Sequence, residues 1–155
     1  MMLKVLVFFI FICFNGILNA NSIENKILLK IDNEIITSID VFNETKYLAA
    51  MNKKINEMSQ EDIYKISIKS LIKEKIKKIE IQKNIIDNKA NIDELYLREL
   101  IKNTYSKLGY NNLEEFAKHL AKYSVNISAI KKKISIESLW NELIYKKFSN
   151  KVIID

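Results

Sequence analysis

The chain offers few side chains that could do chemistry. It has one histidine, His119, and one cysteine, Cys13, which lies in an apolar run near the N-terminus. A zinc or iron site needs several histidine or cysteine ligands, and a catalytic triad needs a histidine beside its nucleophile. His119 lies between Lys118 and Lys122, a setting that predicts an exposed surface residue. We therefore expect neither a catalytic site nor a metal site.

Two pairs of adjacent acids are candidates for general acid–base work. Glu61-Asp62 and Glu114-Glu115 each fall in the first turn of a predicted helix, where the helix dipole favours negative charge. The chain has no proline and two glycines, of which only Gly109 lies beyond the N-terminal apolar stretch. A Gly-rich phosphate loop cannot be built from one glycine. The sequence thus predicts a protein that is not an enzyme and holds no cofactor.

The charge balance is basic, with 25 lysines and arginines against 19 acids. Arginine is the usual residue for bidentate contacts with phosphates and bases, and Arg98 is the one arginine of the chain. No nucleic-acid partner is therefore predicted. Most lysines are expected on solvated helix faces, and their charge favours a weak attraction to anionic membrane surfaces or acidic clients.

The first twenty residues have the layout of a secretory signal peptide. Lys4 supplies a positive region, residues 5–14 are an uninterrupted apolar run, and Ala20 offers a small residue for cleavage. The run is too short to cross a hydrocarbon core of roughly 30 Å as a helix, although an uncleaved membrane anchor is the alternative. The sequence predicts export to a bacterial periplasm, with a signal peptide at 1–20, a mobile leader at 21–26 and one helical domain at 27–155.

The elements that must position any site are mainly α-helices, because the residues that turns require are scarce. Two short apolar runs flank Asp32-Asn33 and predict a tight N-terminal β-hairpin. Capping signals and apolar spacing predict about five helices. Their predicted bounds are 37–56, 59–84, 91–108, 112–123 and 128–148. The β-branched residues 152–154 predict a C-terminal strand that could pair with the hairpin.

The second predicted helix is amphipathic. Its apolar stripe, which includes Ile76, is predicted to face the core. Its outer face is predicted to carry a row of lysines, namely Lys69, Lys73, Lys77, Lys78 and Lys83.

Three segments of the chain stand in a recognisable order. They are IDNEIIT at 31–37, LIKEKIKKIEIQKN at 71–84 and LGYNNLEEFAKHL at 108–120. In form and order they resemble the opening hairpin, a helix and a turn-and-helix signature of the N-terminal chaperone domain of the SurA-type family. That family comprises periplasmic chaperones and peptidyl-prolyl isomerases. The resemblance covers about residues 26–155.

The resemblance implies a holdase chaperone that binds unfolded, aromatic-rich segments of outer-membrane or secreted proteins. Longer family members carry parvulin-type isomerase domains, whose active site uses two histidines, whereas this chain has one. Two alternatives stay open. The chain could be the front part of a periplasmic isomerase whose parvulin domain lies outside it, or a non-catalytic adaptor with one partner. No oligomeric state is predicted.

Candidate residues for client binding come from the tyrosines and methionines. Seven tyrosines are many for one helical domain. Phenols and thioethers suit an adaptable apolar groove, although most of these side chains are expected at the core or its edge. The predicted groove residues are Tyr47, Met51, Met58, Tyr105 and Tyr110.

Overall fold

The computed structural model describes residues 24–84 and 92–149, and within them the protein is mainly helical with an N-terminal hairpin, as predicted. Strand β1 is Ile27–Ile31 and strand β2 is Glu34–Thr37. The five helices are α1 (Ser38–Met51), α2 (Gln60–Asn84), α3 (Glu94–Lys107), α4 (Leu113–Lys122) and α5 (Ile127–Phe148), with a 3-10 helix, Lys53–Glu57, after α1. The predicted signal peptide, most of the leader and the C-terminal strand lie outside the described residues.

The hairpin has the predicted two-residue turn. The strands are antiparallel, and Ile31 lies opposite Glu34. Asp32 adopts a φ of 54°, a conformation that aspartate tolerates better than most residues. The turn therefore follows directly from the Asp-Asn sequence.

Predicted capping signals start α1, α2 and α4, whereas the caps of α3 and α5 are Asp93 and Asn126, two positions after and two before the predicted starts at 91 and 128. The Thr37 hydroxyl accepts from the Asp40 N–H at 3.2 Å, and the Asp40 carboxylate accepts from the Thr37 N–H at 2.8 Å. Side chains at the start of the other helices each accept a backbone N–H in the same way. They are Ser59, Asp93, Asn112 and Asn126.

The end of α1 was predicted wrongly. The helix was expected to run to residue 56, but it ends at Met51. Asn52 is extended, and its side chain accepts from the Lys54 N–H at 3.0 Å to start the 3-10 helix. An asparagine side chain that bonds the backbone locally competes with helix continuation, which explains the early end.

Two apolar clusters hold the helices together. One comprises Ile36, Val41 and Leu71 and joins the hairpin, α1 and α2. The other comprises Ala50, Phe116, Leu120 and Ile130 and joins the C-terminal end of α1 to α4 and α5. Helix α1 thus has one apolar cluster near each of its ends.

His119 is not the exposed residue that its neighbours in sequence predicted. It is half-buried, and its Nε2 lies 2.8 Å from the carbonyl oxygen of Ala50 in the last turn of α1. Its ring also packs between Tyr110 and Tyr123, with centroids at 5.0 and 5.2 Å. The last carbonyls of a helix have no partner within that helix. His119 supplies one from α4, which sequence neighbours alone could not indicate.

The lysines of α2 do not form one solvated face. Lys75 donates to Glu34 Oε2 at 2.7 Å, and Lys78 donates to the other carboxylate oxygen of Glu34, tying β2 to the helix. Lys77 donates to Glu137 of α5. Because α2 has the hairpin on one side and α5 on another, lysines on two of its sides meet carboxylates. Ile76, predicted to be buried, is exposed.

Replacing His119 with alanine is expected to lower the free energy of unfolding by about 1–2 kcal/mol, because the Ala50 carbonyl loses its partner. Urea unfolding followed by circular dichroism measures the change. Lys122→Ala, an exposed change on the same helix, is the control and should cost within about 0.5 kcal/mol. Equal losses in the two variants would contradict the capping role of His119.

Replacing Glu34 with glutamine is expected to reduce the loss in free energy of unfolding that the wild type shows as the pH becomes acidic. The hydrogen bonds from Lys75 and Lys78 hold the pKa of Glu34 below its ordinary value of 4.5. Glu34 therefore contributes stability above that pH, and the contribution is lost as the pH falls through its lower folded-state pKa.

The measurement is the unfolding free energy at a series of pH values from neutral to strongly acidic. The wild type should lose about 1 kcal/mol more than Glu34→Gln below the ordinary carboxylate pKa. Glu61→Gln removes an exposed carboxylate paired with Lys65 and should keep the wild-type profile. If the unfolding free energy of Glu34→Gln depended on pH as that of the wild type does, Glu34 would not be the source of this acid loss.

Candidate functional site

An open cleft of about 710 Å3 lies between α2, α3 and α5. One face of α5 lines it, with residues recurring every three or four positions from Lys133 to Tyr145. At 1.5 Å per residue that face is about 18 Å long. Side chains from α2 and α3 form the two walls, and Tyr47 of α1 also contributes to the lining.

The lining combines apolar and polar groups. Leu100, Ile134 and Ile136 supply aliphatic surface. Tyr96 and Tyr145 also line the cleft, and they are 53% and 73% exposed. The polar side chains include Asn103, Thr104, Ser138 and Asn141. Such a surface can bury an aromatic or aliphatic side chain and still offer hydrogen bonds to a peptide backbone.

A buried charge cluster borders this cleft. Glu44 of α1 is only 2% exposed. One of its carboxylate oxygens accepts from Ser70 of α2 at 2.7 Å, and the other lies 2.7 Å from Lys133 Nζ of α5. Lys133 also donates to Glu74 of α2. We call Glu44, Ser70, Glu74 and Lys133 the charge cluster; it connects three helices.

The charge cluster is electrostatically satisfied. Burial lowers the pKa of Lys133, but Glu44 and Glu74 outweigh this effect and raise it above the ordinary 10.5. Lys133 Nζ also lies 4.6 Å from the centre of the Tyr47 ring, a cation–π contact. Burial raises the pKa of the Tyr47 phenol above 10.0 despite the nearby ammonium. At neutral pH the lysine is charged and the phenol is not.

A smaller cleft of about 270 Å3 also borders the charge cluster. Tyr47, Glu74 and Lys133 line both clefts, so they form a wall between them. The smaller cleft is otherwise lined by the start of α1 and the segment that leads into α5. A wall held by ion pairs and hydrogen bonds on both sides keeps the larger cleft in a defined shape.

The structure brings together four of the five predicted groove residues, around a core rather than an open groove. Tyr47, Met51, Tyr105 and Tyr110 all pack against the cluster of Ala50, Phe116, Leu120 and Ile130. Of these four, Tyr47 also lines the larger cleft. Met58 is exposed after the 3-10 helix and belongs to neither surface.

Sequence reasoning missed the charge cluster and the cleft tyrosines, although a signal for the cluster was present. Glu44 stands three residues after buried Val41 and three before Tyr47, on the apolar stripe of α1. Lys133 stands midway between buried Ile130 and Ile136 on α5. A charge at the spacing of an apolar stripe indicates a buried ion pair, because unpaired burial is costly.

Other types of functional site would need metal ligands, a membrane-spanning helix or unpaired buried polar groups within residues 24–84 and 92–149. No group of three or more histidine, cysteine or acidic side chains there could hold a metal ion. No helix in those ranges is both long and apolar enough to span a membrane. The buried side-chain nitrogen and oxygen atoms described there all have hydrogen-bond partners. The cleft and its wall therefore form the candidate binding site.

Comparisons with known proteins offer no relative from which to transfer a function. No protein-family model, curated protein or solved structure matches this chain. The family resemblance of the three sequence segments stays an expectation, and the functional argument rests on the geometry of the cleft.

Replacing Lys133 with methionine is expected to lower the free energy of unfolding by about 3–5 kcal/mol, because it leaves Glu44 charged and buried without a cation. Lys77→Met is the matched control. It removes an ammonium from the same pair of helices, but its partner Glu137 is 57% exposed, so the loss should be below about 1 kcal/mol. Equal losses, measured by urea unfolding, would show that the cluster does not hold the helices.

Proposed function

We propose that this chain is a periplasmic chaperone that holds unfolded segments of outer-membrane or secreted proteins. The observation that carries the proposal is the open cleft between α2, α3 and α5, where Tyr96 and Tyr145 stand exposed beside aliphatic surface. Aromatic side chains of a client can be buried there against these tyrosines. The proposal agrees with the function that the sequence resemblance implies.

The dimensions of the cleft suit an extended polypeptide. An extended chain advances about 3.3 Å per residue, so a face of about 18 Å accommodates roughly five residues. Asn103 and Asn141 can bond to the peptide groups of such a segment, which lacks the hydrogen bonds of its folded state. Recognition of the backbone, combined with aromatic contacts, suits clients of varied sequence.

The affinity expected of such a site is modest. Apolar burial contributes roughly 25 cal/mol per Å2, but ordering an unfolded segment offsets much of it. We therefore propose binding on the order of micromolar with rapid exchange. Release then needs no nucleotide, and the charge cluster keeps the empty cleft formed between binding events.

The proposal includes no catalytic step within this chain. His119 is engaged with the Ala50 carbonyl. The acidic pairs at Glu61-Asp62 and Glu114-Glu115 lie in first helical turns, and Asp62 and Glu115 bond to capping residues. If a parvulin domain lies outside this chain, the same cleft would present clients to it, as in the isomerase alternative.

A second candidate function is a non-catalytic adaptor, which the outer surface of the hairpin favours. Ile27 and Ile35 of the hairpin are exposed, as are Ile39 and Phe42 at the start of α1. Exposed aliphatic residues on a small sheet are typical of surfaces that bind another folded protein. The adaptor would bind one partner and would not protect unfolded clients.

The chaperone proposal predicts that the double variant Tyr96→Ala/Tyr145→Ala loses most of the ability to suppress aggregation. The assay dilutes an unfolded outer-membrane barrel protein out of urea and follows light scattering. Wild type should suppress scattering near stoichiometric ratios. The variant should need roughly thirtyfold more protein, because each lost aromatic contact contributes about 1 kcal/mol.

The matched control is Tyr64→Ala. Tyr64 is 47% exposed on α2 and does not line the cleft, so its loss should leave suppression unchanged. Circular dichroism verifies that each variant is folded. A folded wild-type protein that gives no suppression would reject the chaperone and favour the adaptor. If Tyr64→Ala weakened suppression as much as Tyr96→Ala/Tyr145→Ala does, clients would not bind in this cleft.

A further inference from the structure

We propose that the cleft selects client segments in which an aspartate or glutamate lies within about five residues of an aromatic residue. The inference rests on the proposed chaperone function and adds a chemical class of client to it. It follows from the way the charges that line the cleft are paired within the protein.

Each acidic side chain of the cleft is paired with a lysine. Glu137 accepts from Lys77, and Glu142 pairs with Lys146, one turn along α5. Glu74 accepts from Lys133, which it shares with the buried Glu44.

Two lysines of the cleft are not compensated in this way. Lys73 lines the cleft from α2 and Lys107 lines it from α3. Within residues 24–84 and 92–149 neither has an ion-pair partner. Both are exposed, so their ammonium groups can move to meet a ligand. Two walls of the cleft thus each present an ammonium group without an ion-pair partner among the described residues.

Aromatic and cationic groups lie along the same cleft. Tyr96 and Leu100 share the α3 wall with Lys107, about three and two helical turns away from it. Because an extended segment advances about 3.3 Å per residue, a client aromatic side chain buried against Leu100 or Tyr96 places residues roughly three to five positions away near Lys107. A carboxylate there gains a favourable charge contact, whereas a client lysine is repelled.

The geometry favours a peptide over an anionic membrane as the source of the carboxylate. The two lysines stand on different helices across a concave cleft, and a flat lipid surface would meet them only at the rim. An extended chain can enter the cleft and bring its side chains to both walls. The client is therefore an unfolded polypeptide of acidic and aromatic character.

The test measures fluorescence anisotropy of three labelled twelve-residue peptides with the purified chain. The peptides have the same aromatic residues and differ only at two positions, roughly three to five residues from an aromatic residue, which are aspartate, asparagine or lysine. The aspartate peptide should bind roughly fivefold more tightly than the asparagine peptide at low salt, and the lysine peptide more weakly than both. Added salt should reduce the difference.

The variant Lys73→Gln/Lys107→Gln should reduce the ratio of aspartate to asparagine affinities to about one. The control Lys54→Gln/Lys122→Gln removes the same charge from exposed positions that do not line the cleft and should keep the wild-type ratio. Because the two double variants have the same net charge, a general electrostatic attraction would change both ratios equally. That result would overturn the inference.

The remaining outcomes separate the inference from the proposed function. Equal binding of the aspartate and asparagine peptides by the wild type overturns the charge preference and leaves the chaperone standing. No binding of any peptide overturns both. Binding to vesicles that contain phosphatidylglycerol, lost in Lys73→Gln/Lys107→Gln and without peptide binding, also overturns both and assigns the lysines to a membrane surface.

Discussion

The structure depends on the burial of one carboxylate. Glu44 is almost completely removed from water, and a buried charge is tolerated only when it is paired and hydrogen-bonded. Its partners come from two other helices, Ser70 on α2 and Lys133 on α5. A shift of either helix by one turn, about 5.4 Å, would break these contacts. The charge cluster thus sets the register of three helices, which apolar contacts alone would specify less sharply.

The cleft is a consequence of that register. Lys133 and Glu74 form one wall between the larger and the smaller cleft, so the groups that hold the helices together also shape the surface that faces a ligand. Tyr47 lies against the same lysine, at 4.6 Å. Because this wall is already ordered, a ligand would not have to order it on binding. Less of the binding free energy would then be lost to ordering the protein.

Local signals predicted the architecture well. The Asp32-Asn33 turn and the capping residues at the helix starts act through atoms a few positions away, so their effects can be inferred from sequence alone. The end of α1 also had a local cause, in Asn52, but the backbone bond that this side chain makes was not anticipated. Five helices and a hairpin follow from patterns of this kind.

Pairings between distant residues could not be predicted in the same way. Whether Lys77 and Lys78 face water or a carboxylate depends on what packs beside α2, and His119 meets Ala50 across 69 positions of sequence. The selected tyrosines and methionines were recognised as adaptable apolar groups. Periodicity could not separate those that complete a core, such as Tyr105, from those left at an open cleft, such as Tyr145.

The separation of Glu44 from its cation also bears on how the chain acquires its structure. Glu44 and Lys133 are 89 positions apart in sequence, and α5 is the last helix described. While the polypeptide emerges from a ribosome N-terminus first, α1 and α2 can meet through their apolar cluster, but Glu44 has no ammonium to neutralise it. The native arrangement of these two helices is therefore fully stabilised only when α5 arrives. Products truncated before α5 are left open to proteolysis.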